Sequence, residues 1–206
     1  MRVVSQTLQI TKAMQMISTS KMKKGLARYD ANAIYLKEVR QTIKDVLMHA
    51  EGQSHRYLQA PEGNRAAHII IAADKGLAGG YNSNILKLVQ SEIAGKDAVV
   101  LPIGKKALDY FRSKQIPTFT EHYAEAAELT VGDCFSVSKQ VSKAFLAGEF
   151  DQIVVAYTNF VSVLAQTPAA MQLLPLEKPE KKEAVNRGDI LYERDRKSTR
   201  LNSSHS

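Results

Sequence analysis

Residues 3–49 read VVSQTLQITKAMQMISTSKMKKGLARYDANAIYLKEVRQTIKDVLMH, with no proline and a single glycine, Gly25. The next helix-breaking residues are Gly52, Pro61 and Gly63. This composition predicts one uninterrupted helix of about 45 to 50 residues, about 70 Å long. Helices of ordinary globular domains are much shorter, so we expect this one to lie against a partner along its length.

The apolar residues of this helix recur at alternating steps of four and three, the spacing of a left-handed coiled coil. A step of five separates two such seams, so we expect the helix to change partner or rotate between its halves. The alternative, an amphipathic helix packed on its own domain, is disfavoured because a domain of about 130 residues is only about 30–35 Å across. The seams comprise Val3, Thr7, Ile10, Met14 and Ile17, and then Met22, Leu26, Tyr29, Ala33, Leu36, Arg40, Ile43, Leu47 and Ala50.

The charge of the chain is unevenly distributed. Residues 1–29 contain six basic residues and no acidic one, and residues 196–206 contain three basic residues and no acidic one. Because the whole chain carries a net charge of +7, residues 30–195 carry −2. A basic arm on a near-neutral domain predicts an acidic partner: nucleic acid, anionic lipid or an acidic protein surface.

The rest of the chain has the pattern of an α/β fold. Short apolar runs rich in β-branched residues predict strands, and segments with helical periodicity lie between them. The order βαβαβαββ implies an open, mostly parallel sheet with flanking helices on both faces. The predicted strands are 68–73, 98–103, a weak 116–120, 151–157 and a hairpin partner within 161–176; the predicted helices are 82–94, 105–113 and 128–147.

Several single residues in this region carry structural expectations. Pro102 predicts that its strand lies at an edge of the sheet or ends there, because proline has no backbone N–H to donate to a neighbouring strand. Asn82 is expected to cap the first helix of the α/β region. The helix over 128–147 has apolar residues at helical spacing: Val131, Phe135, Val137, Val141 and Phe145. His68 is expected at the edge of the core, and Cys134 is expected to serve packing, because no histidine lies near it to activate a thiolate.

The glycine-rich segment 74–82, DKGLAGGYN, lies between the first strand and the following helix, where doubly wound sheets bind phosphates. Its spacing matches neither common phosphate-binding motif. We therefore expect Asp74, Gly76, Gly79 and Gly80 to organise a tight turn. A small nucleotide-binding enzyme that uses Asp74 and the glycines stays open as an alternative.

Composition excludes several other classes of protein. A single cysteine, Cys134, rules out a disulfide framework and a multi-cysteine zinc site. The absence of tryptophan argues against recognition by aromatic stacking. The sequence has neither an apolar run long enough to span a membrane nor an N-terminal signal peptide. We expect no metal and no cofactor.

Residues 10–24, ITKAMQMISTSKMKK, interleave lysine with methionine. Methionine is flexible and lysine is a mobile point charge, so together they suit a surface that forms and re-forms contacts. The plainer interpretation is a solvated basic face beside the seam. A basic coiled-coil module that binds nucleic acid is a further alternative.

Five short motifs in order resemble the gamma subunit of F-type ATP synthases. They are ITKAM at 10–14, SKM at 20–22, DKGLAGGYN at 74–82, QLLPL at 172–176 and LYE at 191–193. The family commonly has arginine at the position of Lys75 and cysteine at that of Ala78; neither difference affects the backbone role of the turn.

The resemblance implies a division of the chain into four parts. Residues 1–60 would form half of the central-shaft coiled coil, 61–176 the α/β foot, and 177–195 a polar linker. In the family a long C-terminal helix follows the LYE motif, whereas here 196–206 resembles a non-native tail; a natural disordered tail is the alternative. We therefore expect a chain cut short before that helix.

The resemblance also implies a non-catalytic rotor subunit that couples rotation of the c-ring to conformational changes at the beta-subunit sites. The expected partners are the alpha and beta subunits, epsilon and the c-ring, with no nucleic acid and no direct nucleotide binding. The expected location is the cytoplasmic face of a bacterial cell membrane, as a peripheral protein. By motif, Lys12, Met14, Lys21 and Lys24 would contact the hexamer.

Overall fold

The computed structural model describes residues 2–49, 54–123 and 125–177, with the backbone alone at 2–5, 49 and 128. The chain divides into two compact units; the first contains the N-terminal helix and the second spans Gln53–Glu177. The predicted linker beyond Glu177, the LYE motif and the tail at 196–206 lie outside the described residues. The expected boundaries at 60 and 176 stay predictions.

The N-terminal unit is a single helix, α1 (Arg2–His49), of 48 residues. It contains no proline, and its one glycine, Gly25, does not interrupt it. None of the side chains from 6 to 48 is buried. The helix therefore has satisfied backbone hydrogen bonds but no apolar core of its own, as the coiled-coil spacing predicts.

The α/β unit is a four-stranded sheet with helices on both faces. Strand β1 is central and pairs in parallel with β2 on one side and with β3 on the other; β4 pairs antiparallel with β3. The expected open, mostly parallel sheet with flanking helices and a long N-terminal helix is confirmed. Its elements are β1 (Arg65–Ile71), α2 (Tyr81–Ile93), β2 (Asp97–Ile103), α3 (Lys105–Ser113), α4 (Val131–Leu146), β3 (Gln152–Phe160) and β4 (Gln166–Leu174), with short 3-10 helices at Arg56–Leu58 and Ala126–Glu128.

Two apolar clusters, one on each face of the sheet, form the core of this unit. One contains residues of α2 and α3, including Ile85 and Phe111, packed with Ile70 of β1. The other contains residues of α4, including Val141 and Phe145. Because β1 contributes to both, its five middle residues are all buried, as a continuous apolar run predicts.

The edge of the sheet differs from the prediction in one respect. Strand β2 is an edge strand and contains Pro102, as expected. The prediction of a weak strand at 116–120 is wrong, because this segment forms only an isolated β-bridge between Val100 and Thr118. The N–H of Val100 donates to Pro117 and the N–H of Phe119 donates to Val100, so this short segment shields part of the β2 edge.

Helix α4 begins later than expected, and the apolar side chains at its start are exposed. A capping box between Thr130 and Asp133 fixes the first turn at Val131 rather than at 128. Of the apolar residues at helical spacing, Val131 and Phe135 are 73% and 74% exposed, whereas the other three are buried: Val137, Val141 and Phe145. Cys134 is also exposed, at the rim of an apolar cleft, and does not pack in the core.

His68 lies in the middle of β1 and is only 2% exposed, so its expected place at the core edge is wrong. Burial, together with the positive charge of Lys96, lowers the pKa of His68 to about 4. Its Nε2 atom is 3.9 Å from Glu92, but the imidazole is neutral near pH 7 and this contact is not an ion pair there. The chain accommodates a neutral histidine inside an apolar strand.

We expect Gly104→Ala to destabilise the protein by about 3 kcal/mol or more. Gly104 has φ +97°, and an added Cβ would lie 2.2 Å from the carbonyl oxygen of Ala72. Gly95→Ala is the matched control, because Gly95 has φ +73° but open space around it, and it should cost about 1 kcal/mol. Urea unfolding of the two variants measures the difference; equal losses would show that the close approach is unimportant.

The buried histidine predicts a pH dependence of stability. Its pKa is about 4 when folded and 6.5 ordinarily, so between these values the unfolded state binds an extra proton. Stability should therefore fall as the pH falls through this window, by roughly 2 kcal/mol from pH 7 to pH 5. Urea unfolding at both pH values tests this. His68→Gln should flatten the dependence, and an unaltered dependence in this variant would show that His68 is not its cause.

Candidate functional site

The predicted shaft residues occupy one continuous helix, so their relative directions follow from helical geometry. Successive residues are about 100° apart, which places Lys21 within about 20° of Met14. Ile10 and Ile17 lie within about 60° of Met14, on the same stripe. These apolar residues are exposed, with Ile10 61%, Met14 57% and Ile17 57% accessible. Met14 is thus a member of the first seam, and Lys21 lies in line with it.

Lys12 lies on the opposite side of α1. It is about 160° from Met14 and shares its face with Met16 and Lys23, which line the same shallow surface groove. Lys24 lies between the two faces, about 80° from Met14. The four predicted contact residues therefore do not form one patch: two lie on the stripe of the first seam, one lies beside it and one opposes it.

The predicted turn residues lie together after β1, and Asp74 is the residue that connects them to other elements. Its Oδ1 accepts hydrogen bonds from the backbone N–H groups of Lys105, at 3.2 Å, and Ala126, at 2.9 Å. Its Oδ2 accepts from the N–H of Ala127 at 2.8 Å. One carboxylate thus joins the end of β1 to the start of α3 and to the segment that precedes α4.

The electrostatics of Asp74 agree with this geometry. Partial burial by itself raises the pKa of the carboxyl group. The backbone donors of Ala126, Ala127 and Lys105, with the charge of Lys105, outweigh burial and lower the pKa below its ordinary value. An ionised carboxylate whose two oxygens both accept backbone hydrogen bonds is unsuited to exchanging protons with a substrate near pH 7.

Asn82 holds the glycine loop rather than capping the helix. Its side-chain oxygen accepts from the N–H of Ala73 at 2.9 Å, and its amide donates to the carbonyl of Lys75 at 3.2 Å. The N-cap of α2 is Gly80, which has no side chain, so the expected cap at Asn82 is wrong. Gly79 has φ +55°, and Leu77 shares this left-handed conformation at φ +62°. These contacts fix a tight turn between β1 and α2.

Two kinds of feature are absent from the part of the chain that the structure describes: a cluster of metal ligands and a membrane-spanning helix. No group of three or more histidine, cysteine, aspartate or glutamate residues there could hold a metal ion. Among the described helices, none is long and apolar enough to cross a membrane.

Two residues with structural roles were not predicted from the sequence. Arg56 donates from Nε to the carbonyl of Phe145 at 2.7 Å. Gly104 has a positive φ that allows the close approach of Ala72. Gly104 directly follows a predicted strand, which is a usable signal for a special backbone conformation. Arg56 has no such signal, because its acceptors are about 90 residues away in the chain.

Comparison with known proteins connects these features to a family. The family model described as ATP synthase matches residues 1–204, which include most of the segment expected to be foreign. The ATP synthase gamma chain of Ruminiclostridium cellulolyticum is 34% identical over 195 residues, covering 92% of this chain and 66% of that protein. That of Pelotomaculum thermopropionicum is 30% identical over 192 residues, with 92% and 68% covered.

The chain spans about two thirds of the length of these curated relatives. Its fold is similar to that of a chain in the mitochondrial ATP synthase central stalk and c-ring of Tetrahymena thermophila. The TM-score is 0.61 at 22% identity, with 81% of this chain and 72% of that chain covered. The match to the family model along nearly the whole chain, together with these relatives, shows that the chain belongs to the ATP synthase gamma chain family.

Proposed function

We propose that the chain acts as a central-stalk rotor subunit of a proton-translocating F-type ATP synthase. In this role it couples rotation of the c-ring to conformational changes at the catalytic sites of the beta subunits and catalyses no reaction itself. The observation that carries the proposal is α1, a 48-residue helix with an exposed apolar seam and no buried side chain between 6 and 48. A helix of this kind is suited to a partner helix and to a surrounding protein surface.

The relatives support this role through the complexes in which they occur. Two similar proteins are ATP synthase gamma chains, and the similar solved fold comes from a central stalk with its c-ring. By extension, the partners of this chain are the alpha and beta subunits, epsilon and the c-ring. The chain would be a peripheral membrane protein, held through the complex at the cytoplasmic face of a bacterial membrane.

The proposed hexamer contact uses Lys12, Met14, Lys21 and Lys24, all of them exposed. The geometry of α1 refines this set, since Met14 and Lys21 share the stripe that a partner helix would cover in part. Lys12 faces away from that stripe and is the member best placed to meet acidic protein surfaces. Scattered lysine and methionine contacts favour repeated weak binding at many angles over one tight state.

The glycine turn is proposed to organise the foot. Asp74 connects three backbone segments, Gly79 adopts a positive φ, and Gly80 leaves room for Asn84, which would be 2.9 Å from an added Cβ. Gly76 belongs to the same turn. The alternative of a nucleotide-binding enzyme is disfavoured, because the carboxylate that it would use is already engaged by backbone donors.

Nucleic acid binding is the other alternative, and it rests on the same acid-free stretch, residues 1–29. It requires affinity that falls steeply with salt. A filter-binding titration of the chain with duplex DNA at two salt concentrations separates the two functions, since the rotor role needs no such binding.

The rotor function predicts that Met14→Lys combined with Lys21→Glu lowers proton-driven ATP synthesis by about fivefold, because well-placed interface side chains each contribute on the order of 1 kcal/mol. The measurement is made on membrane vesicles that contain the assembled complex with the complete gamma chain. Lys87→Gln, at an exposed position of α2, is the charge-matched control and should leave synthesis unchanged. Unaltered synthesis in the double variant would remove Met14 and Lys21 from the contact.

The role of Asp74 predicts that Asp74→Asn destabilises the protein by about 2 kcal/mol at pH 7, since it removes a charged acceptor of backbone hydrogen bonds. Urea unfolding provides the measurement. Asp97→Asn is the matched control: its carboxylate forms an exposed ion pair with Arg65 at 3.5 Å, and its loss should cost about 0.5 kcal/mol or less. If the two variants lose the same stability, Asp74 does not organise the turn.

A further inference from the structure

The chain comes into the α/β unit at residues 54–58 and leaves it after β4, and these two segments meet. The backbone N–H of Leu176 donates to the carbonyl oxygen of Tyr57 at 2.6 Å. Beside them, the side-chain amide of Gln172 donates to the carbonyl of Pro175 at 2.8 Å. The incoming and outgoing segments are therefore joined through their backbones at one junction.

Apolar packing holds the incoming segment only in part, through Tyr57, which is half-buried against the cluster that contains Val141 and Phe145. The 3-10 helix Arg56–Leu58 contains no buried side chain. Its own turn is closed locally by His55, whose Nδ1 accepts from the N–H of Tyr57 at 3.2 Å. The attachment of this segment to the rest of the unit therefore depends on a few directional contacts as well as on the packing of Tyr57.

Arg56 makes most of these contacts. Its Nε donates to the carbonyl of Phe145 at 2.7 Å, and its Nη2 lies 3.5 Å from the carbonyl of Phe150. The guanidinium carbon is 5.3 Å from the centre of the Phe145 ring, and the Tyr57 ring is 5.9 Å from the same ring. Phe145 and Phe150 are 2% and 3% exposed, so Arg56 binds the incoming segment to the rigid core.

The chemistry of these acceptors explains why arginine suits this position. The carbonyl of Phe145 is in the last turn of α4, where it also accepts from the N–H of Gly148 at 3.1 Å and where the helix dipole attracts positive charge. A planar guanidinium can donate to two carbonyls while stacking on an aromatic ring. Lysine offers one mobile ammonium group and would hold the segment less firmly.

We infer that Arg56 is a positioning residue for torque transfer, which it serves by fixing the junction of the incoming and outgoing segments to the end of α4. The inference rests on the proposed rotor function. In such a subunit the chain connects the N-terminal helix to the α/β unit through residues 54–58, so load that travels along this part of the chain passes through the segment that Arg56 holds. If this segment is fixed, rotation of the unit moves the chain beyond it; if it is loose, part of the rotation is lost in local deformation.

The test compares Arg56→Gln and Arg56→Lys with Lys139→Gln, which removes an exposed positive charge from α4 away from the junction. In the full chain, hydrogen exchange of the Leu176 amide should accelerate on the order of tenfold in Arg56→Gln and less in Arg56→Lys. In vesicles with the assembled complex, the ratio of proton-driven ATP synthesis to ATP hydrolysis should fall several-fold in Arg56→Gln and recover partly in Arg56→Lys. Lys139→Gln should change neither quantity.

The outcomes distinguish this inference from the function on which it rests. Failure of the unsubstituted chain to incorporate into the complex would overturn the rotor function, and the inference with it. Normal incorporation of Arg56→Gln with an unchanged ratio would overturn the inference alone. If Arg56→Gln instead fails to fold, Arg56 is a stabilising residue with no separate role in torque transfer, and the inference is again overturned.

Discussion

The exposed apolar seam of α1 is the constraint on which the rest of the structure depends. A helix satisfies its backbone hydrogen bonds internally, but it cannot bury a stripe of its own side chains. Leu36 and Ile43 remain 45% and 42% exposed along the second seam. The helix therefore contributes length and regularity. Contacts with other protein surfaces must supply the free energy that keeps it ordered. This separates its role from that of the α/β unit, which contains its own core.

Features that depend on local pattern could be predicted from the sequence. The length of α1 followed from the absence of proline, and the central position of β1 followed from the apolar run at 68–73. The edge position of β2 followed from Pro102, because proline cannot form a continuous ladder. In each case the physical cause acts within a few residues, so a single sequence contains the whole signal.

Features that depend on distant partners could not be predicted. Val131 and Phe135 satisfy the helical period yet are exposed, because burial depends on which other elements cover that face of α4 and not on the period alone. The acceptors of Arg56 lie about 90 residues away, and two donors to Asp74 lie about 50 residues away. The sequence therefore predicted Asp74 as a turn residue from its position alone, without revealing which segments it joins.

The two units differ in the kind of contact they can make. On α1 the functional candidates are long flexible side chains in water, where each contact is weak and can be replaced by the next. In the α/β unit, Asp74 and Arg56 bind backbone groups, whose positions are fixed by helices and strands and do not depend on rotamers. In the proposed rotor role, α1 would be contacted at changing angles and needs the first kind of surface. The α/β unit would turn as one piece and needs the second kind, because directional bonds to the main chain resist shear better than side chains that slide past one another.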